Sequence, residues 1–334
     1  MNSYSKTRAG LGAICIGLVL VAGCSKGDQP AQADATGAAT PTPPPPADLA
    51  IPGTGVFPES LTSSSDGSVY IGSVGKAQIY KVAPGDSVAR PFIAPATGGI
   101  RQVFGVFADD SSGTLWACSN ETKPGPPGGP AGPSALHGFE LASGAPKNSY
   151  GLPGNGFCND VAVGPSGEVY ATDTNGMQVM RLPKDGSKLE VWSPAGAFGP
   201  AGGVLDGIAI VGGRVIVGTL ATGKLFAVEI GADGMAGKVT ELTLAAPLTA
   251  PDGIRSWGND LLATDGSGKI QHVVISGDSA TLTAVKEGLE GVVAVTVVGN
   301  TGYALEGQLA IFFAAPGGTA PAEKPYRAVA FPLP

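Results

Sequence analysis

The feature that most constrains the fold is a short pattern that recurs along the chain. In its clearest copy, a polar start at 158–160 leads into an apolar run, a turn containing Pro165 and Gly167, and a second apolar run at 168–173. Such runs, separated by Gly and Pro, predict two antiparallel strands joined by a tight turn. Aligned on the start of the first run, the copies place these residues at equivalent positions: Glu59, Phe104, Asn159, Asp206, Asp252 and Val293.

These six copies recur at intervals of about 41–55 residues, and a repeat of that length with several strands per unit is typical of a β-propeller. The 53 Gly and 29 Pro of the sequence agree with a chain of strands and turns. We therefore predict an all-β fold, a six-bladed β-propeller with four-stranded blades, over residues 51–334. How the two ends of the chain close the ring stays open.

The segment before the repeats predicts export and anchoring. Residues 1–24 combine a short basic stretch with an apolar run at 11–22 that is too short for a permanent membrane span. The run ends at Cys24 in a pattern that resembles a bacterial lipobox, in which this cysteine carries the lipid. An ordinary signal peptide ending near a cysteine is the alternative. Because Ser25 follows, we expect attachment to the outer membrane, facing the periplasm.

Two further segments are poor in apolar residues. Residues 25–50 are rich in Ala, Pro and Thr and predict a disordered tether. A Gly- and Pro-rich insertion at 121–133 falls between the second and third strands of blade 2. Its composition allows two interpretations, a lid over the channel or a solvated loop without a role. The net charge of −7 and the lack of basic clusters argue against nucleic-acid binding, and we expect a monomer.

The equivalent positions of the six copies have a common chemistry. In a propeller the first strand of each blade lines the central channel, so these positions form a ring around the axis. Glu59, Asn159, Asp206 and Asp252 occupy four of the six positions. Each could simply bond backbone N–H groups after a loop, but the recurrence favours a divalent cation held by oxygen ligands. Ca²⁺ is the first choice, with Mg²⁺ or Zn²⁺ as alternatives.

Other chemistries have less support. The two histidines, His137 and His272, fall in predicted third strands, away from the channel, so a histidine-built zinc site or a Ser-His-Asp triad lacks residues. The sequence has no Cys-x-x-Cys-His, which argues against a haem-bearing redox propeller. Cys118 and Cys158 fall near one face of adjacent blades, so they form either a disulfide in an oxidising compartment or two buried thiols.

The short motifs Pro58-Glu59, Asn159-Asp160 and Pro251-Asp252-Gly253 together resemble the gluconolactonase/regucalcin family, also called the senescence marker protein family. That resemblance implies a six-bladed propeller with one divalent metal in its channel. It implies Glu59, Asp206 and Asp252 as metal ligands, with Asn159 close to both metal and substrate. Asp206 departs from the family, which usually has Asn there.

The resemblance also implies hydrolysis of a small-molecule lactone or related ester. Asp252 or Asp206 would then be the catalytic base, and Asn159, Asp160 and Phe104 would contact the substrate. Phe157 stands where sugar-lactone hydrolases of the family often have Arg, and Phe104 and Val293 add apolar surface, so a less polar substrate is expected. The alternative is a non-enzymatic binding or scaffold propeller of the cell envelope with a structural ion.

Overall fold

The computed structural model describes residues 46–121, 132–193, 196–200, 202–314 and 321–334. Strand β1 (Leu49–Ile51) precedes the repeats, and each repeat then forms an antiparallel sheet, or blade, whose strands follow chain order. Blade 1 contains β2 (Pro58–Ser63), β3 (Val69–Ser73), β4 (Gln78–Val82) and β5 (Arg90–Ile93). Blade 2 contains β6 (Gln102–Asp109), β7 (Thr114–Asn120), β8 (Ser134–Glu140) and β9 (Pro146–Gly151). Blade 3 contains β10 (Cys158–Val163), β11 (Val169–Asp173), β12 (Gln178–Leu182) and β13 (Glu190–Ser193).

The second half of the chain repeats this arrangement. Blade 4 contains β14 (Leu205–Val211), β15 (Arg214–Thr219), β16 (Lys224–Ile230) and β17 (Ala236–Glu241). Blade 5 contains β19 (Ile254–Trp257), β20 (Asp260–Asp265), β21 (Lys269–Ser276) and β22 (Ser279–Lys286), and the short β18 (Thr243–Leu244) pairs with β22 in parallel. Blade 6 contains β23 (Val292–Val298), β24 (Thr301–Glu306) and β25 (Tyr326–Pro332). The predicted all-β six-bladed propeller is confirmed.

Blade 6 is completed by the N-terminal strand. β1 pairs antiparallel with β25, with Leu49 opposite Ala328, and so becomes the outermost strand of the last blade. The Asp48 carboxylate next to it accepts a hydrogen bond from the Ala330 N–H at 2.9 Å. The ring is therefore closed by residues from both ends of the propeller.

The apolar core is divided among the junctions of the blades. The described residues form six buried apolar clusters. Five of them combine residues from two neighbouring blades, and the sixth joins blades 6 and 1 and includes Phe104 of blade 2. Tyr70 of blade 1 illustrates the packing, because its hydroxyl donates to the Leu141 carbonyl of blade 2 at 3.1 Å. Each blade thus buries its two faces against its neighbours.

Helical structure is sparse in this fold. Among the described residues, the only α-helix is the single turn α1 (Leu309–Phe312), which lies in the connection between β24 and β25. No described helix has the length and hydropathy needed to cross a bilayer. The signal segment at 1–24 with Cys24, the tether up to residue 45 and positions 122–131 of the blade 2 insertion lie outside the described residues.

Candidate metal centre

The innermost strand of every blade except blade 5 is interrupted where the predicted ring begins. Strand pairing shifts register between Pro58 and Ser60, and an equivalent shift brackets Asn159 and Asp206 in their own strands. A β-bulge of this kind re-aims a side chain out of the regular alternation of a strand. Asp252 lies two residues before the start of β19, at the same end of its blade. The bulges thereby free the ring side chains from strand packing.

Close contact between neighbouring inner strands brings the ring positions together. A Cβ atom on Gly207 would lie 2.4 Å from the Asp252 carbonyl oxygen, so the approach requires glycine. The Gly253 N–H donates to the Val293 carbonyl at 2.7 Å across the next junction. These backbone contacts pull the starts of blades 4, 5 and 6 toward one another.

Three carboxylates from three blades converge at the ring. One oxygen from each of Glu59, Asp206 and Asp252 lies within 4.8 Å of the others. Glu59 and Asp206 are only 5% and 6% exposed, whereas Asp252 is half-buried. The set, called here the carboxylate triad, therefore has its more open side at Asp252.

Asn159 adjoins the triad through its amide. Its Nδ2 donates to Thr174 Oγ1 at 3.1 Å, and its side chain also hydrogen-bonds the Asp206 carboxylate. Because the amide nitrogen is engaged in this way, Oδ1 is the Asn159 atom that would serve as a further ligand. Thr174 Oγ1 in turn donates to the Leu205 carbonyl at 2.6 Å, which fixes the pair against blade 4.

The electrostatics of the triad favour a bound cation. Burial, followed by the charges of Asp206 and Asp160, raises the pKa of Glu59 well above its usual value. Burial and Asp160 raise the pKa of Asp206 to about 8, against the hydrogen bond from Asn159. Burial, Asp206 and Glu59 raise the pKa of Asp252. A divalent cation would offset this repulsion, and oxygen donors of this type suit a hard ion, so the triad could hold one.

One salt bridge lies deeper in the channel. Arg255 Nη1 lies 3.4 Å from Asp160 Oδ2, and both residues are buried. The Ile208 N–H donates to the same Asp160 oxygen at 3.2 Å. Burial raises the pKa of Asp160, while Arg255 acts in the opposite direction. The carboxylate of Asp160, predicted to contact substrate, is thus held by these partners and is outside the triad.

Arg255 also connects the blades. Its Nη2 donates to the Val106 carbonyl at 3.0 Å and to the Leu61 carbonyl at 3.4 Å. Its guanidinium lies 5.7 Å from the centroid of the Phe107 ring. Sequence reasoning missed Arg255 because it compared a single position of each copy. Three residues further on, the equivalent positions are Thr62, Phe107, Ala162, Ala209, Arg255 and Thr296, among which Arg255 alone is charged.

The remaining ring positions are apolar. Phe104 is 3% exposed, and its ring meets that of Phe157 edge to face at 4.8 Å between centroids. Val293 is also buried, and it belongs to the same apolar cluster as Phe104. Phe104 is therefore placed beside the triad, although mostly covered by its neighbours.

Cys118 and Cys158 form a disulfide between blades 2 and 3, with their Cα atoms 5.1 Å apart. The Asn120 side chain makes two hydrogen bonds to the backbone of Cys158. Its Nδ2 donates to the Cys158 carbonyl at 2.7 Å, and its Oδ1 accepts from the Cys158 N–H at 3.2 Å. Because Cys158 directly precedes Asn159, the disulfide anchors the strand that carries the ring residues of blade 3. Both histidines lie in third strands, as predicted.

Comparison of the sequence with family models and with curated proteins finds no match. Solved structures with the same fold include a gluconolactonase from Xanthomonas campestris, with a TM-score of 0.59 and 14% identity over 87% of this chain and 99% of its own. A putative gluconolactonase gives 0.61 and 14% over 86% and 93%. Virginiamycin B lyase from Staphylococcus aureus gives 0.52 and 16% over 77% and 94%. At these identities the likeness shows the fold.

Proposed function

We propose that the protein is a divalent-metal-dependent hydrolase of a lactone or a related ester. The observation that carries the proposal is the triad itself, two buried carboxylates and one half-buried carboxylate from three different blades with ligand atoms within 4.8 Å of one another. The gluconolactonases among the proteins of similar fold support the reaction class, as does the resemblance of the sequence motifs. The ion would be Ca²⁺ in the first place, with Mg²⁺ or Zn²⁺ as alternatives.

The positions of the triad residues and Asn159 suggest a different role for each in the proposed reaction. Glu59 and Asp206, the two most buried carboxylates of the triad, would hold the ion together with Asn159 Oδ1. When bound, a divalent cation polarises a carbonyl oxygen and lowers the pKa of water. Asp252 is the better candidate for the base of the two aspartates, because it is half-buried and no described hydrogen bond reaches its carboxylate. It could therefore take a proton from the attacking water.

The cellular location of the protein is inferred mainly from the N-terminal segment. We propose a lipid anchor at Cys24 in the outer membrane, with the propeller facing the periplasm as a monomer. The disulfide between Cys118 and Cys158 agrees with an oxidising compartment. Radiolabelled palmitate should label the wild type in bacteria and leave a Cys24→Ser variant unlabelled.

Ion binding tests the centre of the proposal. Calorimetric titration with Ca²⁺, Mg²⁺ and Zn²⁺ should give one site per chain in the wild type, none in Glu59→Gln, and a retained but weaker site in Asp252→Asn. Glu229→Gln, which changes an exposed glutamate on a third strand, is the matched control and should bind like the wild type. A wild type that binds no divalent ion would remove the metal from the proposal, and with it the mechanism.

The deep burial of Glu59 and Asp206 favours a second candidate, a binding or scaffold propeller whose ion is structural. A structural ion has a closed coordination shell, whereas a catalytic ion keeps an open position. A panel of lactones and esters, assayed with the metal-loaded protein, separates the two. Turnover that is lost in Asp252→Asn supports the hydrolase, and tight ion binding without turnover supports the scaffold.

A further inference from the structure

An apolar surface adjoins the carboxylate triad, and the proposed chemistry leaves its purpose unexplained. The connection after β24 contains α1, and residues 309–314 are six consecutive apolar residues, none of which is fully buried. The surface, called here the apolar collar, is formed by Phe104, Phe157, Leu309, Ile311, Phe312 and Phe313, which belong to one apolar cluster. Such side chains usually pack in a core. All six except Phe104 are only partly buried beside a polar site, which indicates a binding function.

The collar is fixed to the strand that carries Glu59. Phe57, two residues before Glu59, has its ring 5.4 Å from that of Phe312 between centroids. The Phe312 and Phe313 rings meet edge to face at 5.0 Å. Gly307, which leads into α1, lies so close to blade 1 that a Cβ atom would be 2.5 Å from the Pro58 carbonyl oxygen. The collar therefore begins at the triad.

The oxygen ligands and the apolar residues occupy different sides of the ring. Asn159, Asp206 and Asp252 come from blades 3, 4 and 5, whereas Val293 and Phe104 from blades 6 and 2 flank Glu59. A molecule whose carbonyl reaches the triad would thus place its other end against the apolar side.

Two polar side chains beside the collar, those of Gln308 and Lys324, are already engaged. The Gln308 side chain, at the start of α1, donates to the Lys324 carbonyl at 2.9 Å and accepts from the Lys324 N–H at 2.8 Å. Lys324 Nζ pairs with Glu290. A substrate rich in hydroxyl groups would lose hydrogen bonds to water without replacing them on the collar, which is costly.

We propose that the apolar collar binds an alkyl or aryl substituent of the substrate, so that the substrate class is a hydrophobic lactone or ester in place of a polyhydroxylated sugar lactone. This inference rests on the proposed hydrolase function for turnover, but the binding itself does not require turnover. Phe312 is the collar residue with the most informative position, because it is half-exposed and contacts both Phe57 and Phe313.

The first experiment uses binding alone. Straight-chain carboxylates of increasing length are titrated into the metal-loaded wild-type protein by calorimetry. If the chain lies on the collar, the Kd should fall about four-fold for each added methylene until the surface is covered, a factor that corresponds to about 0.8 kcal/mol. A Kd that is independent of chain length would overturn the collar proposal.

Single-residue variants test whether the alkyl chain binds at the collar. Phe312→Ser and, separately, Ile311→Ser should flatten the dependence of Kd on chain length while the affinity for the ion and the far-ultraviolet circular dichroism stay unchanged. Val274→Ser is the matched control, since Val274 is an apolar side chain 40% exposed on blade 5, and it should keep the wild-type dependence. Equal dependence in all four proteins would place the chain elsewhere and overturn the assignment.

Turnover separates this inference from the hydrolase proposal. A series of δ-lactones with longer alkyl substituents is compared with a sugar lactone, and kcat/KM should rise about four-fold per methylene. Turnover that prefers the sugar lactone would retain the hydrolase and overturn the collar. Chain-length-dependent binding with no turnover of any lactone or ester would retain the collar and overturn the hydrolase.

Discussion

Two levels of the central channel are built from the same inner strands but differ in how their charges are balanced. At the upper level, Glu59, Asp206 and Asp252 face one another with like charge. At the lower level, Asp160 has Arg255 and a backbone N–H as partners. Asn159 and Asp160 are consecutive residues, so a single step along β10 leads from one level to the other.

The difference indicates what each level is for. Arg255 supplies the lower level with its own cation and ties blade 5 to the carbonyls of Leu61 in blade 1 and Val106 in blade 2. At the upper level none of the three carboxyl groups forms a salt bridge among the described residues, and burial together with their mutual repulsion raises their pKa values. The lower level thus holds the blades together, and the upper level is prepared for a ligand of opposite charge.

The largest effect is expected from removing the internal cation. Arg255→Met should destabilise the protein by about 3–5 kcal/mol, because it leaves the buried carboxylate of Asp160 without its partner. Urea unfolding followed by circular dichroism measures the loss. The double variant Asp160→Asn/Arg255→Met should recover much of it, and an Arg255→Met protein as stable as the wild type would contradict the bracing role of the lower level.

Breaking the disulfide should affect both levels together. The link closes a separation of 40 residues, and the Cys118→Ser/Cys158→Ser variant should lose about 2–4 kcal/mol of unfolding free energy. Because Cys158 precedes Asn159 and Asp160, ion affinity should weaken at the same time. The control is addition of a thiol reductant, which should lower the Tm of the wild type and leave that of the double variant unchanged. Lost stability with unchanged ion affinity would show that blade 3 does not couple the two levels.

Neutralising one carboxylate should have opposite effects at the two levels. In the presence of a chelator at pH 8, Asp252→Asn should stabilise the protein by about 1–3 kcal/mol, because it removes repulsion among buried like charges. Asp160→Asn should destabilise it, since Arg255 then loses its carboxylate. Chemical denaturation of both variants, with Glu229→Gln as the surface control, gives the two signs directly. Two changes of the same sign would refute the distinction between the levels.

The most gradual effect is a dependence of stability on pH. The raised pKa values mean that the folded protein without ion binds more protons than the unfolded chain between the usual carboxyl pKa of about 4 and the value of about 8 for Asp206. This stabilisation is complete at the acidic end and is lost as the pH rises, by up to about 1.4 kcal/mol per pH unit for each carboxyl group that the fold keeps protonated. Melting curves from pH 5 to pH 8 with chelator should show the decline. Saturating Ca²⁺ should reduce it, and a flat profile without ion would contradict the electrostatic description of the triad.

The sequence allowed the fold and the ring positions to be predicted because each blade repeats the same local pattern. Asp206 and Asp252 could be aligned across copies, since each stands at the start of a short apolar run that is followed by a turn and a second run. Arg255 could not be found in that way, because its role depends on a partner in another blade and its position has no charged equivalent in the other copies. The pairing of β1 could not be predicted from the repeat either, since its three residues match none of the six copies.

The pairing of β1 has a consequence for the order in which the fold is completed. Asp48 and its partner Ala330 are 282 positions apart, and this contact belongs to the last junction to close. During synthesis, the first strand of the propeller emerges before any other. Its Ala50 also hydrogen-bonds Ser87 and Ala89 of blade 1, but its antiparallel partner β25 is the last strand to be made. Bringing segments so distant in sequence together is slow, because closing a long loop costs chain entropy. Nascent chains that end just before β25 should therefore present an open ring with a free edge, and only the final stretch of translation converts it into a closed one.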